Sequence, residues 1–269
     1  MGDRYWWDNS LDDEGVRLGL LEAIADPRSV ALLRRRAVGP GWRCAELGAG
    51  AGSMVGWLAD QVGPSGAVVA VDRNLAQLAH LAERPTVELV QSDIEALDLA
   101  PESFDLIHTR NVLMHVDGAD AVIERLLPAL RPGGWLVAEE ADYYPTAGIT
   151  SPAFAEVVAP LVSRWTWART LPATVHRLGL VDIEVEVDAA MLAGRSAEAA
   201  FWAATLTSAE RRLTEPAAGG VAPVSRSAFA EVMRLLADDG FWTPFAAVVC
   251  VSGRRPWIRP SPAVVGAGP

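Results

Sequence analysis

Cys44-Ala45-Glu46-Leu47-Gly48-Ala49-Gly50-Ala51-Gly52-Ser53 is the stretch on which the reading of this chain turns. A short apolar run, Arg43 to Leu47, ends in a loop with glycine at every second position. Glycine has no Cβ, so such a loop can turn sharply and bring its backbone close to a ligand. Apolar residues at helical spacing resume from about Ser53 to Val62, and a helix starting there offers unpaired N–H groups to whatever the loop holds. The stretch therefore reads as strand, glycine loop and helix, the opening of a βαβ unit.

The same alternation continues outward. Residues 14–37 carry helical periodicity and end at Gly39-Pro40-Gly41. Strands are predicted at Ala67 to Val71, Val87 to Gln91, Phe104 to Thr109 and Trp135 to Glu139. Helices are predicted from Leu75 to about Glu83 and from Ala119 to Leu130, the latter closed by Arg131-Pro132-Gly133-Gly134. Strands separated by helices imply a parallel sheet covered on both faces, and the crossover rule makes it doubly wound. Ligands of such sheets bind beyond the carboxyl ends of the strands. The second half is different: Ala- and Leu-rich helical stretches at 151–178 and 195–239 flank a strand at Val181 to Val187, and a last strand spans Ala246 to Ser252. The expected fold class is a three-layer α/β sandwich with a seven-stranded, mostly parallel sheet and a helical cap. The expected division is a helical lid over residues 1–38, a cofactor-binding core at 39–144 and a substrate cap at 145–240. The final strand at 241–256 and a loose tail complete it.

Composition excludes several functions. A net charge of −11 opposes phosphate-backbone binding, so no nucleic-acid partner is expected. No apolar run approaches the ~20 residues needed to cross a bilayer. The N-terminus has neither the basic nor the apolar region of a secretory signal. Cys44 and Cys250, each in an apolar run, read as buried thiols, and together these features suggest a cytoplasmic protein. The chain contains no lysine, which excludes Schiff-base chemistry and a Walker-type phosphate loop. Four scattered histidines without a carboxylate cluster predict no metal site.

The glycine loop departs from the dinucleotide pattern G-x-G-x-x-G, because Ser53 stands where its last glycine belongs. Glu46, an acid just before the loop, would repel a pyrophosphate but suits a ligand with an ammonium group. Asp72 at the second strand's end can accept hydrogen bonds from ribose hydroxyls, a role shared by nicotinamide and adenosylmethionine sites. Asp93, in Ser92-Asp93-Ile94 after the third strand, can accept from an adenine amino group. With these residues the chain resembles the class I, Rossmann-like S-adenosylmethionine-dependent methyltransferases. Glu46 to Gly52 resembles the family's E-x-G-x-G-x-G motif, Phe104 to Ile107 its fourth strand, and Leu130 to Gly134 its turn into the fifth. The resemblance implies S-adenosyl-L-methionine as cofactor, held by Glu46, Gly48, Gly50, Gly52, Asp72 and Arg73. Ser92, Asp93, Ile94, Arg110 and Asn111 complete that expected set. It also implies an antiparallel final strand.

The function expected is methyl transfer to an oxygen or nitrogen of a small, fairly apolar molecule, a secondary metabolite being one acceptor class that suits the enlarged cap. A cyclase that keeps the cofactor unconsumed, or a non-catalytic cofactor-binding regulator, would carry the same motifs. A general base is needed only if the nucleophile arrives protonated. His115, just past the fourth strand, is the first candidate, followed by Asp142 and Tyr143 after the fifth. Tyr144, Trp165 and Trp202, with Tyr5 and Trp6 from the N-terminal segment, are candidates to wall the substrate pocket. A homodimer is compatible with the composition.

Overall fold

The computed structural model describes residues 12–162, 165–215 and 223–257. Its sheet comprises β1 (Arg43–Leu47), β2 (Ala67–Asp72), β3 (Val87–Gln91), β4 (Phe104–Arg110), β5 (Leu130–Asp142), β6 (Val181–Ala193) and β7 (Trp242–Arg254). The strand order is β3-β2-β1-β4-β5-β7-β6. Every pairing among β1 to β5 is parallel, whereas β7 runs antiparallel to both β5 and β6. The order reverses between β1 and β4, so the crevice for a ligand lies at their carboxyl ends.

The central strands are apolar and buried on both faces, and each face has its own cover. On one side α1 (Asp12–Arg35) and α2 (Ser53–Val62) close over Cys44, Val68, Leu106 and Val137 through Leu33, Val55 and Leu58. On the other side α3 (Ala119–Leu126) and α5 (Leu171–Arg177) cover Ala45, Val69, Ile107 and Leu136. A third core joins α4 (Pro152–Val162), α6 (Ala197–Thr214) and α7 (Arg226–Leu236) around Phe154, Trp202, Leu206, Val232 and Phe245. That core stands beyond the carboxyl end of β5, beside the crevice, and α1 packs against α6 as well as α2.

The structure corrects several boundaries. The segment predicted as an α-helix after Leu75 is a 3-10 helix, Ala76–Leu81, whose Leu75, Leu78 and Leu81 repeat at the three-residue spacing of that form. The helix from Ala119 ends at Leu126 and tightens into a 3-10 turn, Leu127–Ala129. The expected turn at Arg131 to Gly134 is a bulge inside β5: Leu130 pairs with Phe104, and pairing resumes with Trp135 opposite Leu106. β6 extends to Ala193 because β7 pairs with it that far. Its outward carboxylates are held from α1 and the residue just after it, Glu186 by Arg35, Asp188 by Arg28 at 3.3 Å and Glu184 by Arg36 at 2.7 Å.

Candidate active site

A cavity of about 1220 Å³ opens at the switch point. Its floor is the glycine loop: Glu46, Gly48 and Gly50 line it, with Asp72 and Arg73 on the adjoining strand tip. Asp72 organises this loop, its Oδ2 accepting from the Gly50 N–H at 2.9 Å and its Oδ1 from the Asn74 N–H at 3.0 Å. A carboxylate oxygen accepts more than one hydrogen bond, so Asp72 retains capacity toward a ligand. Ser92, Asp93 and Ile94 line the next stretch of wall. Asp93 accepts from the Glu95 N–H at 2.9 Å and lies 3.7 Å from Arg73, both side chains well solvated, so that pair contributes little.

The loop after β4 approaches the glycine loop closely. Gly48 has φ +71°, and a Cβ there would stand 2.1 Å from Val112 Cγ2. Behind it the fully buried Glu140 accepts from the N–H groups of Val112, Leu113 and Met114 at 3.4, 3.1 and 3.1 Å. Burial pushes the Glu140 carboxyl up to about 7, partly opposed by those three donors. Asn111 adopts φ +55°, and its buried Oδ1 has no hydrogen-bond partner among the described residues. Arg110 is anchored by Asp26 at 2.9 Å and Ser29 at 3.0 Å, both on α1.

A second chamber of the same cavity is aromatic. His115, Tyr143, Trp165, Trp202 and Phe245 line it. Tyr143 packs on Trp165, Trp202 and Phe245 with ring centroids at 5.2, 5.8 and 5.3 Å, and Trp202 meets Phe245 at 4.5 Å. His115 meets Trp165 edge to face at 5.4 Å. Burial and the positive Arg17 lower the His115 imidazole to about 3, so it is neutral at physiological pH and a weak proton acceptor. Burial likewise pushes the Tyr143 phenol above its ordinary value.

Three expectations fall differently, and a fourth is untested. Asp142 does not line the cavity: it is fully buried, with its oxygens taken by Arg169 Nε at 2.8 Å, Arg169 Nη2 at 2.6 Å and the Tyr144 N–H at 2.9 Å. Those donors hold its carboxyl below the usual range despite burial, which suits a structural ion pair rather than a base. Tyr144 points outward, 48% exposed, beneath the Arg169 guanidinium. Gly52 caps α2 under Leu78 and Leu81 rather than facing the cavity. Tyr5 and Trp6 lie outside the described residues.

Sequence reasoning gave residues 1–38 as a lid but named none of the α1 side chains that line the cavity, among them Arg17, Leu18, Leu21 and Arg28. Their spacing, at steps of three, four and seven, was the available signal for one helix face turned to a common surface. Arg17 is held by Glu14 at 2.5 Å and lies over the Phe201 ring at 5.8 Å.

An open, doubly wound sheet with a glycine loop and acidic strand tips on one cavity defines an α/β domain that binds an adenosine-type cofactor. Residues 45–138 match the family model described as a methyltransferase domain. Methyltransferase str3 of Strobilurus tenacellus is 32% identical over 102 residues, 36% of this chain and 35% of that protein. Trans-aconitate 2-methyltransferase of Paracidovorax citrulli is 37% identical over 99 residues, 36% and 38% of the two chains. The chain thus spans a little over a third of the length of these relatives. Among solved structures, a Haemonchus contortus phosphoethanolamine N-methyltransferase 2 with S-adenosylhomocysteine superposes with TM-score 0.57 at 19% identity, over 89% of this chain and 57% of that one. The [4+2]-cyclase SpnF superposes with TM-score 0.52 at 17% identity, over 85% and 80%. Both likenesses speak to fold. Residues 45–138 thus form a methyltransferase domain, similar to the class I S-adenosylmethionine-dependent methyltransferases, whose cofactor is S-adenosyl-L-methionine.

The residues present fit that cofactor. A cation-bearing amino acid, a ribose and a purine need acceptors at three places, and Glu46, Asp72 and Asp93 supply carboxylates on three neighbouring strand tips of one cavity. Asn111 adds an unengaged buried acceptor beside them.

Proposed function

We propose that this chain transfers a methyl group from S-adenosylmethionine to an oxygen or nitrogen of a small, largely apolar molecule held in the aromatic chamber. The observation that carries the proposal is the joining of the carboxylate-lined cleft and the aromatic chamber in one cavity. When bound, the cofactor supplies a methyl group activated by a sulfonium centre. Glu46 would accept from its ammonium group, Asp72 from the ribose hydroxyls, and Asp93 from the adenine amine beside the apolar Ile94. Tyr143, Trp165, Trp202 and Phe245 would clamp the acceptor's body, fixing its nucleophilic atom and excluding water.

Among the candidates for a base, a His115 lowered to about 3 accepts a proton poorly and Asp142 is sequestered by Arg169. Positioning is therefore the main device, and the acceptor suited to it is one whose lone pair is available near neutral pH. His115 then orients the acceptor through a ring nitrogen rather than removing its proton.

No helix among the described residues is long and apolar enough to cross a membrane. A cytoplasmic, homodimeric enzyme acting on a secondary metabolite remains our reading of the wider role. The test is incubation with methyl-labelled cofactor and a panel of aromatic amines and phenols. Label in an acceptor with equimolar S-adenosylhomocysteine is expected. Turnover of an acceptor with no S-adenosylhomocysteine formed would establish a non-consuming use of the cofactor instead.

A further inference from the structure

The centre of the sheet holds a polar cluster that methyl transfer leaves unexplained. Glu46 on β1, His108 on β4 and Glu139 on β5 stand side by side among apolar strands, with 3%, 0% and 0% exposure. Glu46 and His108 are cross-strand partners in register. His108 Nδ1 lies 2.6 Å from Glu46 Oε2, and its Nε2 lies 3.1 Å from Glu139 Oε1. Glu139 Oε2 in turn meets Arg28 Nε at 3.3 Å and Cys250 Sγ at 3.7 Å. Of this cluster, only Glu46 and Arg28 reach the cavity.

A neutral imidazole has one N–H and can donate to one partner. Placed between two carboxylates it would turn a bare lone pair on the other. Both short contacts are satisfied when the ring carries both protons. Burial by itself would lower His108, but the charge of Glu46 and the hydrogen bonds to Glu139 and Glu46 raise it to about 9. The 2.6 Å contact to Nδ1 then ties the Glu46 carboxylate to one orientation.

We propose that His108 is a positioning residue, a doubly donating imidazolium braced by Glu139 that fixes Glu46 in the orientation facing the cavity, where it selects a ligand bearing an ammonium group. This rests on the reading of Glu46 as the acid that receives the cofactor's amine. The site's preference for the amino-acid portion of the cofactor thus depends on a residue that never touches it.

The test compares two probes, S-adenosylhomocysteine and 5′-methylthioadenosine, which lacks the amine and carboxylate but keeps the adenosine and sulfur. An asparagine amide nitrogen falls near the place of imidazole Nδ1, and a glutamine amide nitrogen near that of Nε2. His108→Asn therefore keeps the donor to Glu46, whereas His108→Gln keeps only the donor to Glu139. By calorimetric titration, His108→Gln should narrow the preference for S-adenosylhomocysteine over 5′-methylthioadenosine by roughly tenfold, and His108→Asn by less than about threefold. Equal loss of both probes in His108→Gln, or identical behaviour of the two variants, overturns the proposal. Glu46→Gln separates the two levels: an unchanged preference there refutes the role of Glu46 itself. A narrowed preference there with none in His108→Gln refutes the positioning role alone. Should His108→Gln fail to fold, nitrogen NMR of histidine-labelled wild-type protein decides. Both ring nitrogens of His108 are expected to be protonated at pH 7, and a singly protonated ring overturns the proposal.

Discussion

Gly48→Ala probes the cofactor loop at its tightest point. Residue 48 sits at φ +71°, a conformation that costs an L-residue with a Cβ about 1–2 kcal/mol. The new Cβ would also stand 2.1 Å from Val112 Cγ2 and 3.2 Å from Val112 Cβ and Cγ1. Val112 cannot swing away easily: its χ1 is stiff, and its N–H is directed at Glu140 at 3.4 Å. Overpacking of this kind costs about 1–3 kcal/mol, for a total of roughly 2–5 kcal/mol. At about 2–4 °C per kcal/mol for a domain of this size, Tm should fall by roughly 4–20 °C. Gly50→Ala is the control. It shares the left-handed backbone, φ +59°, but its Cβ would meet only Leu18 Cδ2 at 3.8 Å. Its loss should stay near the backbone cost, about 1–2 kcal/mol. Differential scanning calorimetry of both variants, repeated on a Val112→Ala background, provides the measurement. Removing the Val112 methyl groups should shrink the Gly48→Ala increment toward that of Gly50→Ala, a coupling of about 1–3 kcal/mol. Equal losses at the two glycines, or an increment unchanged by Val112→Ala, would refute the claim that close approach of the two loops makes residue 48 a glycine.

Other perturbations have different signatures. Asp142→Asn weakens the pair with Arg169 and should lower stability by about 1–3 kcal/mol while kcat changes less than about twofold; a loss of about a hundredfold or more would restore Asp142 as a base. Trp202→Phe trims the wall that Tyr143 and Phe245 pack against and should raise KM for an apolar acceptor by roughly fivefold, with S-adenosylhomocysteine affinity unchanged in the same titrations. The raised His108 contributes stability fully below its ordinary 6.5 and loses it as pH rises through about 9. Unfolding free energy measured in urea should therefore fall more steeply between those values in wild-type protein than in His108→Asn.

Much of the fold is legible because a parallel sheet buries whole strands. Arg43–Leu47, Ser53–Val62 and Val87–Gln91 stand where apolar runs and turn residues put them. The acids on the cavity wall are legible for the same reason, since strand tips of a doubly wound sheet converge on the switch point. Asp142 shows where that logic stops. Its place at the end of β5 suggests an exposed mouth, but Arg169, distant in sequence, folds over it. Leu75, Leu78 and Leu81 stand at a spacing that a helical reading of the sequence takes for either form, whereas the structure shows the tighter one, with Leu78 and Leu81 over Gly52. The Glu46, His108 and Glu139 cluster had a faint signal, a polar residue inside each of three apolar strands. Its meaning emerges only when β1, β4 and β5 are seen to be consecutive neighbours.

Calorimetric titration of wild-type protein and Asp72→Ala with S-adenosylhomocysteine and NAD tests most directly whether acidic strand tips grip one cofactor. Wild-type protein should bind S-adenosylhomocysteine at a single site, Asp72→Ala should bind it roughly tenfold or more weakly, and NAD should give no heat. Equal affinity in the two proteins, or NAD bound more tightly than S-adenosylhomocysteine, would contradict the assignment of this cleft.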